Sequence, residues 1–172
     1  MGMRNLQRRD RIPQTVSLRD GQPRDTNYLK DIDLKSYHYP WDGDKWKLLD
    51  EKDHSVCLAI EALKPVGFII WKEEKALARI LRLAVKPQNR GNGIGTMLLD
   101  HVWVVAKAKQ IREISTVVPE IHCLPGHPDD VSQWLLAYGF LARPPIIKEY
   151  AQMYGELVDG FQFFCEVDKW DC

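Results

Sequence analysis

An excess of charge of either sign is missing from this 172-residue chain: 24 Lys and Arg balance 24 Asp and Glu. A polyanion such as nucleic acid is therefore not the expected partner. Cysteine is scarce as well. Cys57, Cys123, Cys165 and Cys172 stand apart with no C-x-x-C pair and no secretory signal ahead of them, which speaks against a disulfide scaffold and for a reducing cytoplasm. No apolar run approaches the roughly 18 residues that a membrane span needs, so no membrane partner is expected. Internal repeats and low-complexity linkers are also lacking.

What remains fits one globular unit over residues 1–172, with 45% hydrophobic and 28% charged residues. Residues 1–13 are polar and read as a flexible basic arm. Charge is uneven along the chain: residues 1–30 hold seven Lys or Arg against three Asp or Glu, and residues 149–172 hold one against six. Two solvated ends of opposite sign account for this, and a tether to RNA or a ribosome is the functional alternative for the arm.

Periodicity outlines the elements. "TVSLR" (15–19) alternates like a first strand, and residues 26–49 carry helical spacing in two pieces around Pro40 and Gly43. "SVCLAIEAL" and "VGFIIWKEE" read as a hairpin, and "ARILRLAV" (78–85) as a central strand buried on both faces. Beyond a glycine-rich loop, Ile94, Met97, Leu98, His101, Val102 and Val105 form one apolar stripe on a helix ending near Lys107 and Lys109. "REISTVV" (112–118) is the next strand. Asp129 or Asp130 is the expected N-cap of a short helix stopped by Gly139, and "FQFFCEV" (161–167) is a closing strand. Helices alternating with mostly antiparallel strands make an α/β or α+β layer protein.

The loop carries the chemistry. In "VKPQNRGNGIG" (85–95), glycines at positions 91, 93 and 95 stand between a strand and a helix, where bare backbone N–H groups at a helix start make an anion site. A Walker loop is excluded, because no Lys-Ser or Lys-Thr follows. A dinucleotide fingerprint fits poorly, since the sixth position from Gly91 is Thr96. The segment resembles the acyl-CoA loop of the GNAT superfamily of N-acetyltransferases. Its pattern, Gln/Arg-x-x-Gly-x-Gly/Ala, is met by Gln88, Gly91 and Gly93, with Val85 and Pro87 as the Val-x-Pro lead-in and Gly139-Phe140 as the Gly-Phe helix end.

That resemblance implies a mixed, mostly antiparallel sheet, flanked by helices and splayed at the acyl-CoA site. It implies acetyl-CoA as acyl donor, with no metal. The amides of residues 90–95 and Thr96 would hold the pyrophosphate, so Arg90, Gly91, Asn92, Gly93, Ile94, Gly95 and Thr96 join Gln88 as coenzyme-binding candidates. Leu83, Ala84 and Val85 would pair with the pantetheine arm and offer an amide to the oxyanion.

"IDLKSYHYPWDGDKW" (32–46) is similar to the segment before the second strand in ribosomal-protein-alanine and related Nα-acetyltransferases, through Ile32, Asp33, Tyr39, Pro40, Trp41 and Trp46. There it borders the acceptor site, which makes Tyr39 and Trp41 substrate-binding candidates; the alternative is that Trp41 and Trp46 cap the core. The branch supplies a Glu on the strand after the glycine helix and a Tyr five residues before Phe140. Here those places hold Val117 and Leu135. Glu120, Tyr138 and Tyr150 are the substitutes expected to act in catalysis, with Tyr154 a further tyrosine of the last hairpin. An α-amine of pKa about 8 and a thiol of about 8.5 ask only modest acid–base help.

In "PEIHCLPGHPDD" (119–130), His122 or His127 could act as base, and a Cys123–His relay is conceivable, although direct transfer needs no covalent step. A metal would need a fourth ligand that the spacing does not offer. The expectation is an acetyl-CoA-dependent N-acetyltransferase acting on a protein N-terminus or a small-molecule amine in a ternary complex. A catalytically silent acyl-CoA-binding module or sensor is the alternative.

Overall fold

The structure, a computed structural model, describes residues 15–124, 126, 130–153 and 156–169. The expected basic arm and the candidates Asp129, His127 and Tyr154 lie outside the described residues.

Strands β1 (Val16–Asp20), β2 (His54–Glu61), β3 (Lys64–Glu74) and β4 (Leu77–Val85) precede β5 (Glu113–Pro119), β6 (Leu141–Met153) and β7 (Glu156–Glu166). Helix α1 (Thr26–Ser36) lies between β1 and β2, α2 (Ile94–Ala108) between β4 and β5, and α3 (Ser132–Tyr138) between β5 and β6. The seven strands form one sheet in the order β1-β2-β3-β4-β5-β7-β6, in which only β4 and β5 run parallel. This is the expected mixed, mostly antiparallel architecture.

Each face of the sheet buries its own core. Ala78, Ile80 and Val85 of β4 pack with Ile94, Leu98 and Val102 of α2, whereas Ala84 packs with Leu29 and Ile32 of α1 on the other face. β4 is thus the two-sided central strand that its apolar density implied.

Two expectations need correction. The second helical piece of residues 26–49 is only a 3-10 turn, Lys45–Asp50, which buries Trp46. Strand β6 was not anticipated, because Pro144 and Pro145 lack the N–H groups of a ladder. They are tolerated since β6 is an edge strand whose pairing with β7 is broken by irregularities between Arg143 and Ile147 and again before Ala151. The Gly139 stop is present, with φ +122 and its amide bonded to the carbonyls of Leu135 and Leu136. Among the described residues no helix is long and apolar enough to cross a membrane.

The feature that makes a site is a split in the sheet. Across β3, Ile70 faces Arg82 but Trp71 faces Ile80, so Leu81 is an extra residue, a β-bulge. The parallel ladder from β4 to β5 stops at the same level: its last pair is Ile80 with Thr116. On its other edge β5 stays paired with β7 throughout, from Glu113 with Glu166 to Pro119 with Gly160. Residues 82–85 stay paired to β3, and their other edge opens into the gap.

Candidate coenzyme site

β4 meets β3 through alternate residues. The Lys86 amide donates to Val66 on β3, so the period of two turns the polar groups of Leu83 and Val85 the other way, into the split. Side chains from the end of α1 reach them. The Tyr37 hydroxyl donates to the Leu83 carbonyl, and Ser36 Oγ donates to the Val85 carbonyl at 3.2 Å.

The glycine loop continues this edge. Gly91 and Gly93 both have φ +76, the left-handed region open to glycine at no steric cost. A Cβ on Gly91 would meet nothing within 4 Å, so backbone conformation rather than crowding within the chain calls for glycine there. Gly93 is the N-cap of α2, and no side chain caps this helix end. The first amides of the helix therefore keep their donors for a ligand, with the positive end of the dipole behind them. Gly67 on β3 holds the layers close: a Cβ there would lie 3.0 Å from the Ala84 carbonyl and 3.2 Å from Val85.

Loop, strand edge and α3 enclose a cavity of about 290 Å³. Of the expected coenzyme residues, Leu83, Ala84, Val85, Arg90, Gly91, Gly93, Ile94, Gly95 and Thr96 line it; Gln88 and Asn92 do not. The Arg90 guanidinium folds inward, Nε donating to the Val85 carbonyl at 3.1 Å and a terminal nitrogen to the Ser36 carbonyl at 2.5 Å. It therefore braces α1 against the end of β4. Sequence reasoning missed Tyr37, Asn89, Asp130, Val131 and Trp134 in this lining. The N-cap of α3 is Val131 rather than the expected Asp130, which stands one residue earlier and accepts from the Ser132 amide at 2.9 Å and hydroxyl at 2.7 Å. The Trp134 indole donates to Thr96 Oγ1 at 3.4 Å, tying α3 to the start of α2.

On the α1 side of the split, Asp33 is fully buried and accepts from Arg82 Nε at 2.6 Å and from the Trp41 amide at 2.6 Å. Arg82 also donates to the Tyr39 carbonyl at 3.1 Å, and its guanidinium lies 3.7 Å above the centre of the Tyr37 ring. The acidic residue and the Tyr-Pro-Trp of the sequence are thus one unit, which anchors the loop bearing Tyr39 and Trp41 to β4. Trp46 joins the α1-side core, in edge contact with Trp41 at 5.2 Å.

The three acid–base candidates fall in different places. Tyr138 points outward, its hydroxyl donating to Asp100 at 2.6 Å on the exposed side of α2. Glu120 is exposed, within electrostatic reach of Lys148. Tyr150 packs over Gly160 beside Val117, for a Cβ on Gly160 would meet Val117 at 2.6 Å and Tyr150 at 2.8 Å. Burial pushes the Tyr150 phenol above its ordinary pKa, with Arg82 and Arg79 pulling the other way, although the residue as a whole is 41% exposed. Leu135 is buried in the core.

His122 is 6% exposed, its ring stacked on Tyr37 with centroids 6.2 Å apart. Beside it, burial pushes the Cys123 thiol up to about 11, with Asp130 adding to the effect. A thiol so rarely ionised is a poor acyl acceptor, which removes the relay. Elsewhere Glu51, Asp53 and His54 cluster, but Lys72 Nζ already stands 3.0 Å from Asp53. A larger hollow of about 650 Å³ opens between β1, β3 and α2, crossed by the Lys109–Glu73 ion pair and touching no residue of the glycine loop.

Comparison with known proteins agrees with this geometry. A family model described as acetyltransferase (GNAT) domain matches residues 52–128. No curated protein matches by sequence. Among solved structures, the ribosomal-protein-S18-alanine N-acetyltransferase of Escherichia coli superposes with TM-score 0.75 at 14% identity, covering 88% of this chain and 94% of its own. NAA60 of Arabidopsis thaliana, solved with acetyl-CoA, gives 0.74 at 16% identity over 90% of this chain and 99% of its own. Ard1 of Thermoplasma volcanium gives 0.73 at 20% identity over 88% and 97%. Residues 52–128 thus match the model of a GNAT acetyltransferase domain, and the described chain shares the fold of these solved structures.

Proposed function

We propose that this chain is an acetyl-CoA-dependent N-acetyltransferase that passes the acetyl group directly to a primary amine, with donor and acceptor bound together. One observation carries the reading: an opened strand edge at Leu83–Val85 runs into the uncapped start of α2. The amides at Gly91–Thr96 suit a diphosphate, and the edge of β4 suits an amide-bearing arm. An amide of that edge, aimed at the thioester carbonyl, would stabilise the oxyanion that forms as the amine attacks. The acceptor enters between the loop bearing Tyr39 and Trp41 and the hairpin of β6 and β7. Tyr150 packs beside Val117, the position at which the resembling enzymes keep their acid–base Glu.

The acceptor class follows from the same wall: a peptide N-terminus or a small amine reaching past the aromatic residues to the bottom of the split. The test is release of free thiol from acetyl-CoA offered with a panel of peptide N-termini and small amines. Saturable, amine-dependent release is expected. Tight coenzyme binding without release from any amine would overturn turnover and leave a silent binding module.

A further inference from the structure

We infer that Tyr37 is the catalytic acid that gives its proton to the departing sulfur, a role that rests on the transferase reading above. The residue that would serve from α3 is Leu135, and it is buried in the core away from the cavity lining. Tyr37 lines the same cavity from the opposite wall, at the end of α1. Its hydroxyl sits on the Leu83 carbonyl, on the edge along which the donor's arm would lie.

The direction of that arm locates the sulfur. With the diphosphate at residues 91–96, the arm runs back along β4 from Val85 towards the bulge at Leu81, a path of about 13 Å at the rise of a strand. An extended pantetheine is of that length. The thioester then falls along the edge between the Leu83 carbonyl, on which the Tyr37 hydroxyl sits, and the closing pair of Ile80 with Thr116. The arm's own amide competes for the Leu83 carbonyl, and binding would turn the phenol from that carbonyl towards the sulfur.

The surroundings suit a phenol that loses and regains a proton. The Arg82 guanidinium lies 3.7 Å from the ring centre, and Asp33 at 2.6 Å holds that guanidinium in place. From the turn after β5, His122 stacks on the ring, Tyr150 of β6 lies within electrostatic reach of Arg82, and the neighbouring His38 is exposed. In the step itself the neutral amine forms the C–N bond, the C–S bond breaks, and the Tyr37 proton goes to sulfur as coenzyme A leaves as the thiol. The phenolate then takes the proton that the acylated nitrogen sheds, so the residue ends as it began.

The test is Tyr37→Phe, with coenzyme A affinity measured by calorimetry and turnover measured from pH 6 to 10. Affinity within about threefold of the parent is expected, with kcat lower by about 100-fold, the usual worth of a positioned acid. The parent's rate should fall on the alkaline side as the phenol ionises, and that limb should vanish in the variant. His122→Asn serves as a second variant, and a parent-like alkaline limb is expected there. Unchanged kcat in Tyr37→Phe, or the same alkaline limb in it and the parent, would overturn the inference. A parent that releases no thiol with any amine would instead overturn the transferase reading.

Discussion

Asp33 shows how much one buried carboxylate holds in place. It takes a charged hydrogen bond from Arg82 and an amide from Trp41, each at 2.6 Å, and so fastens α1, β4 and the aromatic loop together. Removing it strands the Arg82 guanidinium, only 14% exposed, without its counter-charge. Asp33→Ala is expected to cost about 3–5 kcal/mol in urea unfolding, as the breaking of a buried pair does. A loss below about 1 kcal/mol would mean that solvent takes over the guanidinium. At this scale the sequence was partly legible. The glycines and the Val-x-Pro lead-in announced the loop because backbone requirements are written directly into residue type. Tyr37 went unnoticed because nothing local marks a tyrosine that ends a helix and reaches a strand 46 positions later.

Strands and helices followed from periodicity over most of the sheet, the edge strand β1 included, and failed at the other edge. β6 hid behind its prolines, since only tertiary position distinguishes an edge strand that tolerates them from a loop. The Leu81 bulge left no mark either; the run "ARILRLAV" is apolar with or without it, yet the bulge puts Arg82 and Ala84 on the α1 face and coincides with the split. The turn from β2 to β3 offers a test of local chemistry. Ala62 and Leu63 both adopt positive φ, +47 and +66, where a tight hairpin favours Asn-Gly, and Leu63 is 96% exposed. Replacing the pair by Asn-Gly should raise stability by about 1–2 kcal/mol, the cost of left-handed backbone at ordinary residues. Thermal unfolding would show it, and a lowered midpoint would contradict the strain argument.

For the molecule as a whole, two half-sheets, β1–β4 and β5–β7–β6, are joined at one parallel ladder of four residue pairs and part beyond it. Helices on both faces keep the parted ends from collapsing, and the gap leads from the α2 start to the aromatic loop. The layer architecture was readable from the alternation of elements, whereas the exact seam depended on long-range register that no single segment specifies. A diphosphate is expected to seat on the uncapped start of α2. Titrating coenzyme A into the ¹⁵N-labelled chain tests it most directly. The amide signals of Gly91, Gly93, Ile94, Gly95 and Thr96 should shift most and together, followed by those of Leu83 and Val85. Saturable binding that moves other amides and leaves these unmoved would contradict it.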